Sequence, residues 1–404
     1  MKIYEIGTGY TSIPARISAA TEIVVEQLTK SLLEMHADVE IIDICDTNRE
    51  KNNLPIIEVN IPLFLCDTDV QLGLMHKIKR VIYSIKLSIK LRTVLKENQS
   101  QEQDDNIVLH FHNQYNLFFF LKLISKKTRK ECIIAYTNHS GIWSLEWNKV
   151  SSIIKKRYFQ EAECMRRADL IYVLNDATKW NVINNLGVEE KRVIRLAHGV
   201  NQNIYYPLSS EEKEKIKSKY NLKDKKIILQ VGSVYENKGQ LRIIKNLTNF
   251  LKTHIEYAYV YVGGIVSEEY QGEINQYIKE RDLNNQVVYL GMVNPGEELN
   301  SIYNIAEASI MASHYEAFGL VVIESMSAGV PVLINKNSQM FINKGVIKYE
   351  ESTLSNIIEK EIDNKSKLDQ YKKQAREYAI EHYGWNNVAQ KYYKSWELYI
   401  KETK

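Results

Sequence analysis

The stretch Ala308-Ser-Ile-Met-Ala-Ser-His314-Tyr-Glu316-Ala-Phe-Gly319-Leu-Val-Val-Ile-Glu324-Ser-Met-Ser-Ala-Gly329-Val-Pro331-Val-Leu-Ile334 decides the fold. Its first apolar run, Ala308–Ala312, closes on a polar loop that carries His314 and Glu316. A helical pattern starts around Phe318–Gly319, Gly329 stops it, and Pro331 leads into a second apolar run, Val330–Ile334. Two short, continuously apolar strands joined through a helix are parallel neighbours in a sheet covered on both faces.

The same unit repeats in both directions. Upstream lie Lys226–Gly232, Ala258–Gly264 and Val287–Gly291, each apolar and each ending in glycine. Beyond the charged linker Pro207–Asp224, the first half carries Lys2–Gly7, Val39–Ile44, Asn106–Phe111, Cys132–Thr137, Leu170–Leu174 and Val193–Leu196. Helical stretches separate them, and in Thr21–Met35 residues Ile23, Val24, Leu28, Leu32 and Leu33 share one face at 3.6-residue spacing. The fold class is therefore α/β, with two Rossmann-like, doubly wound parallel-sheet domains and a boundary near 203–212.

Composition excludes several classes. The chain has 404 residues, 44% hydrophobic and 25% charged, which rules out disorder, a collagen-like repeat or a disulfide scaffold. A net charge of +3 argues against a nucleic-acid partner. Cys45, Cys66, Cys132 and Cys164 are scattered, with no paired zinc-ligand spacing, and read as reduced. The N-terminus runs directly into a strand without an apolar leader, and no apolar stretch reaches the ~18 residues of a membrane span. These features predict a cytoplasmic chain.

In open parallel sheets, ligands gather outside the carboxyl ends of the strands. In the second half those ends are Gly232–Gly239, Gly263-Gly264, Gly291–Pro295 and Ser313–Gly319, with Lys238 beside one of them. Glycine turns that open helices offer unpaired N–H groups and a positive dipole, which suit phosphates. Glu316 in the loop and Glu324 inside an apolar helix can line one crevice at different depths. On a single continuous helix they would stand ~12 Å apart.

The block SHYEAFGLVVIESMSAGVPV, with Glu-x7-Glu at its centre, resembles the signature of family 4 retaining glycosyltransferases, which have the GT-B fold. Gly232 to Lys238-Gly239, Tyr261–Gly264, Val288–Gly291 and the pair Arg167–Asp169 and His198–Val200 follow in family order. The resemblance implies two domains facing across a cleft: an acceptor-binding domain at 1–205, with a last helix at about 385–404 packing back on it, and a donor-binding domain at 206–384. It implies transfer of a hexosyl group, with a UDP-sugar the leading expectation, to a glycan, lipid-linked or small-molecule acceptor. The nucleotide-sugar is a co-substrate, and neither cofactor nor metal is expected.

The residues carried over by that resemblance are as follows. Glu316 meets the donor sugar hydroxyls, Glu324 the ribose, and His139 the sugar C6 hydroxyl. Lys238 and the N–H groups near Phe318-Gly319-Leu320 hold the diphosphate, with Gly232, Ser233, Gly263, Gly264, His314 and Ala317 completing the donor site. Ser233 stands where the family has arginine. Gly9, Thr21, His110, His112 and Asn113 fall on the acceptor side, and Ala19-Ala20-Thr21-Glu22 replaces a family Gly-Gly-x-Glu. Other GT-B activities, such as nucleotide-sugar epimerisation, and a non-catalytic sugar-nucleotide module remain the alternatives.

Three further signals stand outside that block. Asp67-Thr68-Asp69 has the form of a metal-binding acidic pair but lies far from the donor half, so metal independence is expected. His110 and His112 share a strand face, as a metal pair would, with no third ligand evident in sequence. Residues 77–96 carry Lys77, Lys79, Arg80, Lys86, Lys90, Arg92 and Lys96 among Ile78, Val81, Ile82, Ile85, Leu87, Ile89, Leu91 and Leu95, with no acidic residue. Two readings fit them: a basic helix on an anionic membrane, and a core-packed helix with a solvated basic face.

Overall fold

A computed structural model describes residues 1–403 except 15–18, 50, 63–64, 66–73, 101–105, 314–315, 317, 339–341 and 343. The chain divides into two compact units, Met1–Gly199 with Trp385–Lys404, and Val200–Gly384.

The first unit is built on a seven-stranded parallel sheet. Its strands are β1 (Lys2–Ile6), β2 (Asp38–Ile44), β3 (Ile56–Val59), β4 (Ile107–Phe111), β5 (Cys132–Thr137), β6 (Leu170–Val173) and β7 (Val193–Arg195), in the order β3-β2-β1-β4-β5-β6-β7. Ile3 lies between Val39 and Val108, and Glu5 between Ile41 and His110. The second unit holds β8 (Lys226–Val231), β9 (Tyr257–Val262), β10 (Val287–Tyr289), β11 (Ala308–Met311), β12 (Val332–Asn335) and β13 (Val346–Tyr349). Their order, β10-β9-β8-β11-β12-β13, is parallel throughout and repeats the arrangement of the first. In each sheet the strand order reverses beside the first strand of the unit, between β1 and β4 and between β8 and β11.

Two strands escape a reading of the sequence, and both are sheet edges. β3 has three of its four residues at least partly exposed, and β13 is four residues long. An edge strand packs against one neighbour only, so it needs no continuous apolar run to form.

Helices cover both faces of the first sheet. α1 (Ala20–Glu34) buries Val24, Leu28 and Leu32 beside Trp385, Val388, Tyr392 and Trp396 of the terminal helix Trp385–Thr403. On the other face, α2 (Leu74–Ser100) and α3 (Gln114–Leu123) bury Tyr83, Leu87, Leu91, Leu117 and Phe120 in one cluster. The polar region after Lys365 forms two helices. Lys365–Tyr383 belongs to the second unit, and Gly384 ends it before Trp385 opens the helix of the first.

Candidate functional site

The second unit places its site at the β8/β11 reversal. β8 runs into Gly232 and a short turn, Glu236–Lys238, before the helix Gln240–Thr253. Gln230 donates to the Lys238 carbonyl at 2.6 Å and Gln240 to the Ser233 carbonyl at 3.0 Å, so two amides brace the turn. Neither glutamine was visible as a site residue in the sequence, because each acts through the main chain. Gly263 is required sterically. Its φ is +145°, and a Cβ there would lie 2.2 Å from the Gly232 carbonyl oxygen. The two strand ends therefore touch through backbone.

Lys238 meets Glu316 across this reversal, Nζ to Oε2, at 2.6 Å. Ser313 also donates toward the same carboxylate at 3.4 Å. The pair is mostly shielded, with side-chain exposures of 20% and 24%. Gly319, at φ +80°, turns the chain into the helix Leu320–Ser327, whose first-turn N–H groups face the loop that bears Glu316. Phe318 is buried against Tyr383, with ring centroids 5.8 Å apart. His314 and Ala317 lie outside the described residues.

Glu324 sits half-buried one turn further on and accepts from the Tyr303 hydroxyl at 3.0 Å. Burial pushes its carboxyl up to about 7, and hydrogen bonds from Tyr303 and Tyr205 oppose the shift only in part. Both tyrosines were missed in the sequence, where nothing distinguishes them among 26. Ser233 brings no charge to the strand end, yet a second cation is present. Arg242 donates to the Ala312 carbonyl and pairs with Glu351 at 2.8 Å.

The first unit gathers a chain of imidazoles at the β1/β4 reversal. Glu5 is fully buried and accepts from His110 Nδ1 at 3.0 Å and His112 Nε2 at 2.8 Å. His112 Nδ1 lies 3.1 Å from His139 Nε2, and His139 Nδ1 lies 3.2 Å from His198 Nε2. His110 Nε2 reaches Thr137 Oγ1 at 2.7 Å, and that oxygen lies 3.2 Å from the Tyr392 hydroxyl. Burial alone would raise the Glu5 carboxyl, but the imidazoles of His110 and His112 outweigh it and hold it at about 2. Burial lowers His112 to about 4 and His198 to about 3, and it holds His139 well below the usual imidazole range.

These neutral rings leave one consistent proton assignment. An ionised Glu5 only accepts, so His112 carries its proton on Nε2 and offers the Nδ1 lone pair. His139 then donates through Nε2 and accepts through Nδ1 from His198 Nε2–H. Both ring nitrogens of His139 are engaged within its own unit. The third donor absent from the His110/His112 pair in sequence is Glu5, and the trio has the donor types of a metal site. The same atoms are satisfied by one another, an arrangement that stands without an ion.

Other acceptor-side residues serve the turn after β1. The Asn113 side chain caps α3 through Tyr115 N and Asn116 N, a local duty the sequence reading did not assign. Asn116 donates to the Gly7 and Thr8 carbonyls at 3.1 and 3.0 Å, and Tyr83 donates to Gly7 at 3.1 Å. Gly9, at φ +78°, has the Tyr83 ring where a Cβ would stand. Thr21 is half-buried in the first turn of α1; the next residue, Glu22, accepts from the Thr8 hydroxyl, and burial raises its carboxyl to about 7. Cys132 and Cys164 are free thiols, and burial pushes Cys132 up to about 12. Asp67, Thr68, Asp69 and Cys66 lie outside the described residues.

Residues 212–378, which hold the Lys238–Glu316 pair and Glu324, match the family model described as glycosyl transferases group 1. That domain is thus similar to the glycosyl transferases group 1 family. Mannosylfructose-phosphate synthase of Agrobacterium fabrum is 25% identical over 237 residues, 57% of this chain and 49% of that protein. An uncharacterised glycosyltransferase of Methanocaldococcus jannaschii is 28% identical over 171 residues, 41% of this chain and 42% of that one. The chain thus spans about half the length of the curated relatives it matches. Solved GT-B structures share the whole fold. Anabaena HepE in complex with UDP and glucose aligns with a TM-score of 0.71 at 17% identity, covering 98% of this chain and 99% of HepE. Sucrose-phosphate synthase of Thermosynechococcus elongatus aligns at 0.69 and 19% identity, covering 99% of each. No helix among the described residues is long and apolar enough to cross a membrane.

Proposed function

We propose that this chain is a retaining glycosyltransferase that moves a hexosyl group from a nucleoside-diphosphate sugar, a UDP-sugar, to a hydroxyl of a glycan, lipid-linked or small-molecule acceptor. The observation that carries the reading is the Lys238–Glu316 pair at the β8/β11 reversal, inside the matched domain. A cation and a carboxylate held together at one strand end serve opposite parts of one donor: the ammonium for the diphosphate, the carboxylate for the sugar hydroxyls. UDP in the HepE complex supports the choice of base. His139, Gly232, Ser233, Gly263, Gly264, Phe318, Gly319, Leu320 and Glu324 complete the donor site in this proposal.

In the proposed step the bond from the sugar C1 to the β-phosphate oxygen breaks, and its electron pair leaves on the phosphate. Lys238 and the first-turn N–H groups after Gly319 stabilise that charge. The acceptor oxygen bonds to C1 on the face the phosphate leaves, and its proton passes to the departing phosphate oxygen. No protein nucleophile and no metal takes part. Cytoplasmic placement completes the proposal.

The test has two parts. UDP, GDP and ADP are compared for their shift of the melting temperature, since a bound nucleotide stabilises by mass action. Glu316→Gln is then assayed for transfer. The proposal expects UDP to stand out and the variant to lose transfer while keeping the UDP shift. Unchanged turnover in Glu316→Gln overturns the site.

A further inference from the structure

The structure shows that α2 has two apolar faces, not one. Tyr83, Leu87, Leu91, Val94 and Leu95 are buried in the sheet core. On the opposite side Met75, Ile78, Val81, Ile85 and Ile89 are 55%, 40%, 42%, 37% and 52% exposed. Their spacing of three, three, four and four residues lines them along one face of the helix, a band roughly 21 Å long. Core packing fixes the helix by its inner face and leaves this outer band uncovered. The two readings left open by the sequence are therefore not exclusive.

The charges around the band decide what covers it. Lys79 and Arg80 do not contribute, because both turn inward. Lys79 is buried, with Nζ 3.2 Å from the Tyr10 carbonyl, and the Arg80 guanidinium sits 3.6 Å over the Tyr115 ring. Lys77, Lys86 and Lys96 are exposed, Lys90 and Arg92 half-buried, and no acidic residue occurs before Glu97. An apolar line flanked by cations of one sign complements a surface that offers negative headgroups and acyl carbon together. A second copy would set lysines against lysines, so like charge opposes pairing through this face.

We propose that α2 docks the chain on an anionic lipid bilayer, with Met75, Ile78, Val81, Ile85 and Ile89 entering the headgroup–acyl boundary and the flanking lysines meeting lipid phosphates. This inference stands apart from the sugar-transfer reading and survives its failure. The full chain is floated with phosphatidylcholine vesicles, with and without phosphatidylglycerol, across a salt series. Binding rises with phosphatidylglycerol and weakens as salt screens it. The double variant Ile85→Ser, Ile89→Ser lowers partitioning by about tenfold or more, since apolar burial drives interfacial insertion. Its melting temperature falls by only a few degrees, because the exposed part of each side chain, the part that meets lipid, makes no packing contact in the free chain. Lys86→Ala with Lys90→Ala reduces the phosphatidylglycerol dependence. Equal binding to both vesicle types, no binding to either, or full binding by the Ile variant overturns the proposal. So does a concentration-dependent dimer, seen by light scattering without lipid, that the Ile variant abolishes.

Discussion

Lys238 Nζ and Glu316 Oε2 stand 2.6 Å apart, although 78 positions separate the two residues in the chain. The contact exists because β8 and β11 are neighbours at the reversal of the sheet, which brings both following loops to one strand edge. A partly shielded pair of this kind contributes little to stability, about 0–1 kcal/mol. Its worth lies in what it places.

Lys238→Ala therefore changes the unfolding free energy by less than about 1 kcal/mol. Loss of a group that stabilises developing charge costs about 10²–10³ in turnover. Denaturant titration and steady-state nucleotide release, measured on the same preparation, check both numbers. A large stability loss with unchanged turnover would make the pair structural.

Glu5 answers differently, because it is fully buried and serves two histidines. Glu5→Ala leaves the imidazole N–H groups unpaired in the core and costs about 3–5 kcal/mol. Glu5→Gln keeps the shape but puts an amide donor beside one imidazole and costs less. Nitrogen NMR of the ring tautomers reads the difference directly. The parent chain shows His112 protonated at Nε2, and Glu5→Gln shows a mixed population at His112 or His110.

Glu22 sets a pH dependence with a definite sign. Its carboxyl is raised from 4.5 to about 7 by burial, so the folded state favours the neutral form. The stability this confers is fully present below pH 4.5 and is lost as pH rises through 7. Glu22→Gln is neutral at every pH. It raises the melting temperature relative to the parent at pH 8, by at most about 3 kcal/mol of unfolding free energy, and leaves it unchanged at pH 4. A difference that does not vary with pH would refute the assignment.

Metal removal is the fourth test. Glu5, His110 and His112 offer a carboxylate and two imidazoles within 4.8 Å, but each carboxylate oxygen already accepts an N–H. Dialysis against EDTA leaves the melting temperature and donor hydrolysis unchanged, and elemental analysis of the purified chain finds no stoichiometric zinc. Loss of either property on dialysis, restored by zinc, would show that the trio holds an ion.

The two-sheet α/β architecture was legible because buried parallel strands are continuous apolar runs, as in Ile227–Val231 and Tyr257–Val262. β3 and β13 were not, because an edge strand is selected by its one neighbour and needs no such run. Lys238 and Glu316 were legible as candidates from their places in glycine-rich strand ends. Gln230, Gln240, Tyr205, Tyr303 and Asn116 were not, because each acts on a backbone or side-chain group distant in sequence. Asn113 and Arg80 have local roles that their residue types do not announce. Asn113 caps a helix and the Arg80 guanidinium lies over the Tyr115 ring.

By itself, then, the sequence determined the alternation of strand and helix, the glycines that let Gly232 and Gly263 meet, and the types of charged group at the strand ends. Those features are local, written in spacing and in the conformational freedom of single residues. Only the tertiary structure decided that Glu5 joins His110 and His112, that the imidazoles from His198 onward line up to donate toward Glu5, and that α2 keeps a second apolar face open to solvent. Pairing between distant strands and the exposure of a helix face depend on what the rest of the chain covers, and no spacing within the helix or strand records that.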